Sequence, residues 1–172
     1  MAFQDNLQTQ SPTLMPHAFH SIPFVELRQS LPSQVAIISP FVDQLMRFIA
    51  RFRTGDGSEL DIEIALRESL ANAIVHGNQE SLRKRVYVTC RCTTDGEISI
   101  TVEDEGQGFE SEAVMDPTTQ ENRILTCGRG IYLMKTCMDE VRFERAGAVV
   151  HMQKKQYHSD CNLSESYESN AA

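Results

Sequence analysis

Basic charge is scarce in this chain. Its 172 residues hold 16 lysines and arginines against 24 aspartates and glutamates, a formal charge of −8. A nucleic-acid footprint needs clustered cations on one face, so no direct nucleic-acid partner is expected. The densest basic run, Arg83-Lys84-Arg85, is short and reads as a solvated strand entrance rather than a phosphate contact. Long apolar runs are missing too: nothing approaches the roughly 18 residues of a membrane span. Met1 to Ser21 lacks the charged and apolar regions of a secretory signal. The five cysteines, at 90, 92, 127, 137 and 161, form no Cys-x-x-Cys pair and have no histidine at zinc-ligand spacing. An odd, unpatterned set suits a reducing compartment, and a soluble cytoplasmic protein is expected. Two common phosphate grips are also lacking. There is no Gly-x-x-x-x-Gly-Lys-Ser/Thr loop, and no glycine pair is completed to the three-glycine dinucleotide fingerprint.

What is present is one domain of ordinary size with a polar arm at each end. Residues 1–21 and 156–172 hold no apolar period, so the ordered domain is expected over residues 22–155. Ile22 to Arg28 alternates as an opening strand, which Leu31-Pro32-Ser33 is expected to break. Ser39-Pro40 reads as a cap and a first-turn proline, followed by Phe41, Leu45, Phe48, Ile49 and Phe52 at helical spacing. A second helix is expected from Glu59 to about His76, with Ile62, Leu66, Leu70, Ala73 and Ile74 as its stripe and Gly77 as its C-terminal cap.

Strand alternation then takes over. Val86, Val88, Cys90 and Cys92 alternate with polar residues, and after Asp95-Gly96 the series Ile98, Ile100, Val102 resumes, which predicts a hairpin. Residues 110–127 are polar and aperiodic, long enough for a functional loop. A short helix, Gly130 to Met138, precedes a last hairpin of Val141-Arg142-Phe143 and Val149 to Met152, split at Ala146-Gly147. The sum is an α/β (α+β) two-layer sandwich with a mostly antiparallel, mixed sheet and helices on one face.

Three segments carry candidate chemistry. Glu68, Asn72 and His76 stand four apart and line one ridge of the second helix, beside its apolar face. Glutamate can accept a proton from an attacking hydroxyl, and a neutral amide oxygen suits a water-rich Mg²⁺ shared with phosphates. The same three residues also suit the polar flank of a surface helix, and His76 reads as a helix-terminal residue whose ring bonds the last carbonyls. Strand parity puts Asp104 on the inward side with Ile98, Ile100 and Val102. An inward carboxylate needs donors, supplied either by a turn that caps the strand or by a ligand amino group. Gly106 and Gly108 let the following backbone turn closely, as a flat base requires. Gly128-Arg129-Gly130 opens the third helix, and its N-terminus is a ready site for phosphate oxygens. Arg129 either adds charge there or is solvated. Cys90 and Cys92 share a strand face and point parallel, which suits core packing and not a disulfide, and Met134 and Met138 likewise read as packing.

Taken in order, Glu68-Ser-Leu-Ala-Asn72-Ala-Ile-Val-His76-Gly77, Asp104-Glu-Gly106-Gln-Gly108-Phe109 and Gly128-Arg129-Gly130-Ile131-Tyr-Leu-Met resemble the N, G1 and G2 boxes of the GHKL ATPase superfamily. Within it, the compact length, His76-Gly77 and Met138-Asp139-Glu140-Val141 most resemble the anti-sigma-factor serine/threonine kinases. The resemblance covers about residues 22–155 and implies the Bergerat-type ATP-binding fold. It implies that Asn72 coordinates Mg²⁺, that Asp104 accepts from the adenine amino group, and that Gly106, Gly108 and Phe109 shape the base pocket. Gly128, Arg129, Gly130 and Ile131 are implied to hold phosphates beneath a lid of about residues 110–127, and Glu68 to activate the serine hydroxyl of a protein substrate. That substrate is implied to be an anti-sigma-factor antagonist, with a sigma factor sequestered by the same homodimeric kinase. Two positions depart from the family pattern. Ala148 follows Gly147 where a threonine often helps hold adenine, and Thr126-Cys127 stands where an arginine precedes the glycine pair, so Arg123 or Arg129 has to substitute. The alternatives are an ATP-gated regulatory binding protein without efficient phosphoryl transfer, and a detached ATPase domain of a histidine kinase. The second lacks a preceding helical hairpin with a phospho-acceptor histidine.

Overall fold

A computed structural model describes residues 22–53, 55, 57–108 and 129–156. The five strands are β1 (Phe24–Pro32), β2 (Arg85–Thr93), β3 (Ile98–Asp104), β4 (Glu140–Glu144) and β5 (Val149–Lys154), and the helices are α1 (Ile38–Ile49), α2 (Glu59–Ala71) and α3 (Arg129–Cys137). They form one sheet in the order β1-β2-β3-β5-β4. Its four pairings are all antiparallel, so the mixed component expected from the sequence does not occur among the described residues.

The side chains of Val86, Val88, Cys90 and Cys92 on β2, and of Ile98, Ile100 and Val102 on β3, are buried against the helices. Phe41, Val42, Leu45 and Ile49 of α1, Ile62, Leu66 and Leu70 of α2, and Met134 of α3 meet them from the other layer. Each such side chain contributes about 1.5–3 kcal/mol by leaving water, so the sheet-to-helix layer holds most of the stabilising burial. Thr89, Arg91, Ser99, Thr101 and Arg142 project from the opposite face of the sheet, which stays polar as the alternation requires. Cys90 and Cys92 are buried free thiols with their sulfurs 3.9 Å apart, in keeping with a core role.

Element boundaries differ from the sequence expectation, three of them for a physical reason. β1 spans Phe24–Pro32 where the sequence predicts Ile22–Arg28, and runs through the Leu31-Pro32 break; it lies at the sheet edge, where a missing N–H costs no ladder bond. α1 begins at Ile38, after a 3₁₀ turn over Val35–Ile37, so Ser39 and Pro40 sit inside its first turn and Ser39 is not the cap. The second helix does not run unbroken to His76: α2 ends at Ala71 and a π-helical turn covers Asn72–Gly77. In that turn the Asn78 N–H reaches back to the Ala73 carbonyl at 2.8 Å, five residues away.

Two buried cations close the end of the sheet away from Asp104. Arg53, just past α1, donates to the carbonyls of Gly96 (3.1 Å), Lys154 (3.3 Å) and Lys155 (2.7 Å), tying the helical layer to the β2–β3 turn and the end of β5. Lys154 sends its Nζ into the helical layer, to the Cys137 carbonyl at 2.6 Å and Asp61 Oδ2 at 3.1 Å. Nothing in the sequence marks either residue as buried.

Candidate nucleotide site

The three segments singled out in the sequence converge. Asp104 ends β3 on its buried side, 5 % exposed, and its backbone N–H donates to the Ala148 carbonyl at 2.9 Å. Its Oδ1 accepts the Gly106 N–H at 2.7 Å, the single hydrogen bond of this carboxylate among the described residues. Oδ2 thus keeps an open acceptor position. Burial pushes the carboxyl above the usual carboxylate range, with the Gly106 N–H pulling the other way.

Gly77 lies directly against this carboxylate. A Cβ there would stand 2.5 Å from Asp104 Oδ1, a separation that real side chains do not adopt. Gly77 is therefore not the helix cap expected from the sequence. It lies inside the π turn, and the left-handed residues that end the segment are Gln79 and Glu80, with φ of 55° and 52°. What Gly77 supplies is close approach. The turn after Asp104 is equally tight: a Cβ on Gly106 would lie 2.7 Å from the Gly77 carbonyl carbon. Gly108, at φ 78°, would put one 2.7 Å from the Arg145 carbonyl oxygen. That oxygen belongs to a run of left-handed backbone, Arg145, Ala146 and Gly147, between β4 and β5. Ala148 follows it and is buried, so no hydroxyl stands where the family pattern often has one.

The other end of the site is built by helix packing. α3 lies against α2 so that a Cβ on Gly130 would be 2.6 Å from Glu68 Oε2, 3.5 Å from Asn72 Nδ2 and 3.6 Å from Asn72 Oδ1. A side chain at Gly130 would push the Glu68 carboxylate aside while meeting the Asn72 amide at ordinary contact distance. Neither Glu68 nor Asn72 spends its side chain on a hydrogen bond among the described residues, so both polar groups remain available. An amide oxygen beside a carboxylate is a donor set that fits a hard, water-rich cation such as Mg²⁺. Arg129 is exposed at the first position of α3, and Ile131 packs partly buried against the core. His76 is exposed. Phe109, Gly128 and the segment of about residues 110–127, with Arg123, Thr126 and Cys127, lie outside the described residues, as do the expected arm at residues 1–21 and all but residue 156 of the expected arm at residues 156–172.

One participant escaped the sequence reading. Asn78 is completely buried, donates from Nδ2 to the Arg85 carbonyl at 2.8 Å and accepts the Glu105 N–H at 2.9 Å. Its position directly after Gly77 was the sole available signal, and an asparagine after a glycine ordinarily reads as an exposed turn.

The arrangement has a buried acceptor framed by glycine backbone at one end, and a carboxylate and amide under a helix N-terminus at the other. The chain is similar to known proteins over most of the described residues. The histidine kinase-like ATPase domain family matches residues 31–154. The anti-sigma F factor of Heyndrickxia coagulans is 30 % identical over 125 residues, covering 70 % of this chain and 76 % of the relative. That of Clostridium perfringens is 33 % identical over 133 residues, covering 74 % and 84 %. Among solved structures, the RsbU and RsbW domains of a Mycobacterium tuberculosis protein share the fold at a TM-score of 0.55 and 18 % identity, over 76 % of this chain and 32 % of that longer one.

Proposed function

This chain belongs to the histidine kinase-like ATPase domain family, and from that premise we propose that it is an ATP-dependent protein serine/threonine kinase acting as an anti-sigma factor in a partner-switching pathway. The observation that carries the reading is the packing of Gly130 onto Glu68 and Asn72 at one end of the π turn, with Gly77 against Asp104 at its other end. A nucleotide binder alone needs the acceptor for the base and the donors for phosphate. A free carboxylate next to the phosphate end is what phosphoryl transfer adds.

In this reading residues 22–155 form the nucleotide-binding unit, flanked by arms at 1–21 and 156–172. Asp104 accepts a hydrogen bond from the adenine amino group at its open Oδ2 position, and Gly77, Gly106 and Gly108 let the backbone close around the base. The N-terminus of α3, with Gly130 and Arg129, faces the phosphates, where unpaired N–H groups and the helix dipole favour anions. Asn72 would hold Mg²⁺, which neutralises phosphate charge when bound. Glu68 accepts the proton of an incoming serine hydroxyl as its oxygen attacks the γ-phosphorus, and ADP leaves. The protein substrate is an anti-sigma-factor antagonist and the second partner a sigma factor, with the kinase acting as a homodimer. Support for these partners comes from the anti-sigma F factor relatives. Among the described residues no helix is long and apolar enough to cross a membrane.

The test is transfer from γ-labelled ATP to a candidate antagonist with wild type, Glu68→Ala and Asn72→Ala. The kinase reading expects label on an antagonist serine, loss of transfer with nearly unchanged ATP affinity in Glu68→Ala, and loss of the Mg²⁺ dependence of binding in Asn72→Ala. No label on any antagonist, with ATP still altering partner affinity, would identify an ATP-gated binding protein instead.

A further inference from the structure

Asn78 occupies a position that the catalytic reading does not use. Its side chain is wholly buried, and both ends of its amide are engaged. Nδ2–H donates to the Arg85 carbonyl at the start of β2, and Oδ1 accepts the N–H of Glu105, the residue after Asp104. One amide therefore joins the end of the π turn, the first residue of β2 and the turn that carries Asp104 and Gly106. On its own backbone it follows Gly77, which touches the Asp104 carboxylate. The Glu105 side chain adds a second tie to β2, accepting the Arg85 N–H and the Tyr87 hydroxyl at 2.9 Å each. That tie is exposed to water, whereas the Asn78 bonds come from a fully buried side chain and are partly shielded from solvent.

We propose that Asn78 is a positioning residue for base recognition: the two hydrogen bonds of its buried side chain set the gap between Gly77 and the Asp104–Gly106 turn, and so decide where the carboxylate meets the base. The proposal rests on the reading of Asp104 as the adenine acceptor. A gap that is too wide lets the carboxylate turn away from the base, and one that is too narrow forces it off, because Gly77 and Gly106 already crowd it from two sides. Selectivity for a 6-amino over a 6-oxo purine depends on that placement, since only the amino group donates to the carboxylate. Phosphate binding does not depend on that placement, because the Asn78 side chain bonds to Arg85 and Glu105 and makes no hydrogen bond to Glu68, Asn72 or Gly130 among the described residues.

The experiment is isothermal titration of the full-length protein with MgATP, MgGTP and magnesium tripolyphosphate, comparing wild type, Asn78→Ala and Asn78→Asp, each with a thermal melt. Alanine removes both bonds; aspartate keeps the acceptor for Glu105 and loses the donor to Arg85, so it carries the test if the alanine variant does not fold. The expected result is a fall in ATP affinity of about tenfold or more, an ATP:GTP preference that collapses toward one, and tripolyphosphate binding within about twofold of wild type. A lowered melting temperature with the ATP:GTP ratio retained, or ATP and tripolyphosphate weakening in parallel, would overturn the proposal and leave Asn78 a structural residue. A wild-type protein that does not prefer ATP to GTP would instead overturn the adenine role of Asp104, and this inference with it.

Discussion

Gly77 and Asp104 meet backbone to carboxylate, 27 positions apart in the chain, so closely that a Cβ on Gly77 would lie 2.5 Å from Asp104 Oδ1. Asp104 is short and buried, with Gly106 behind it, and has little room to yield. Gly77→Ala is therefore expected to displace the carboxylate and weaken ATP by about tenfold or more, even though alanine favours helix by about 1 kcal/mol over glycine. Titration calorimetry on the folded variant checks this. Wild-type affinity would mean that the carboxylate does not contact the ligand.

Asp104→Asn separates stability from binding. Burial raises the Asp104 carboxyl in the folded protein, which thus holds this proton more tightly than the unfolded chain does. Its contribution to stability is present below the ordinary carboxylate value of about 3.9 and is lost as pH rises through the raised folded value. At neutral pH the ionised group is a cost in the ligand-free protein. Asparagine preserves the acceptor for Gly106 without the charge, so the ligand-free melting temperature is expected to rise by about 2–4 °C at pH 7, with a flatter pH dependence between those two values. ATP affinity is expected to fall roughly tenfold to a hundredfold, as for losing a buried hydrogen bond to a charged group. Melts from pH 4 to 8 and an ATP titration test both halves; a melting temperature that drops at pH 7 contradicts the first.

Gly130→Ala tests the opposite end. Its Cβ would press on Glu68 Oε2 at 2.6 Å while meeting the Asn72 amide at ordinary contact distance. Phosphoryl transfer is expected to fall by about a hundredfold or more, since displacing a reacting group by an ångström costs on that order. Adenosine binding should stay within about twofold. Single-turnover transfer and adenosine titration distinguish the two, and equal losses in both assays would point to a collapse of α3 packing instead.

Lys154→Met should cost stability and nothing else. The ammonium satisfies the Cys137 carbonyl and Asp61, with Asp139 Oδ1 3.9 Å away. Methionine fills similar space but leaves those acceptors without a cation, at a cost of about 2–4 kcal/mol. Urea denaturation should show the loss, with ATP affinity within about twofold of wild type, because these groups lie at the ends of α2 and α3 remote from Glu68 and Gly130.

Most elements were legible because their signals are local. Alternation in Val86 to Cys92 and Ile98 to Val102, joined by Asp95-Gly96, specifies a hairpin whatever surrounds it, and the same parity carries Asp104 to the buried side. Helical spacing of Ile62, Leu66, Leu70 and Ile74 likewise anticipated the buried face of α2 and the π turn that follows it. The boundaries were less legible. Pro32 breaks a central strand but not an edge strand, and edge status is a property of the assembled sheet.

The nucleotide candidates followed from residue type and order alone: a carboxylate at a strand end, glycine pairs after it and before a helix, and a glutamate and asparagine one turn apart. Their arrangement did not. That Gly77 is needed for contact with Asp104 and not for capping, that Gly130 lies against Glu68, and that Asn78 lies buried between two turns were decided when the helical layer docked on the sheet. Local pattern determines which face of an element turns inward. Which distant backbone it then meets, and how closely, depends on packing between elements, and no single segment encodes that.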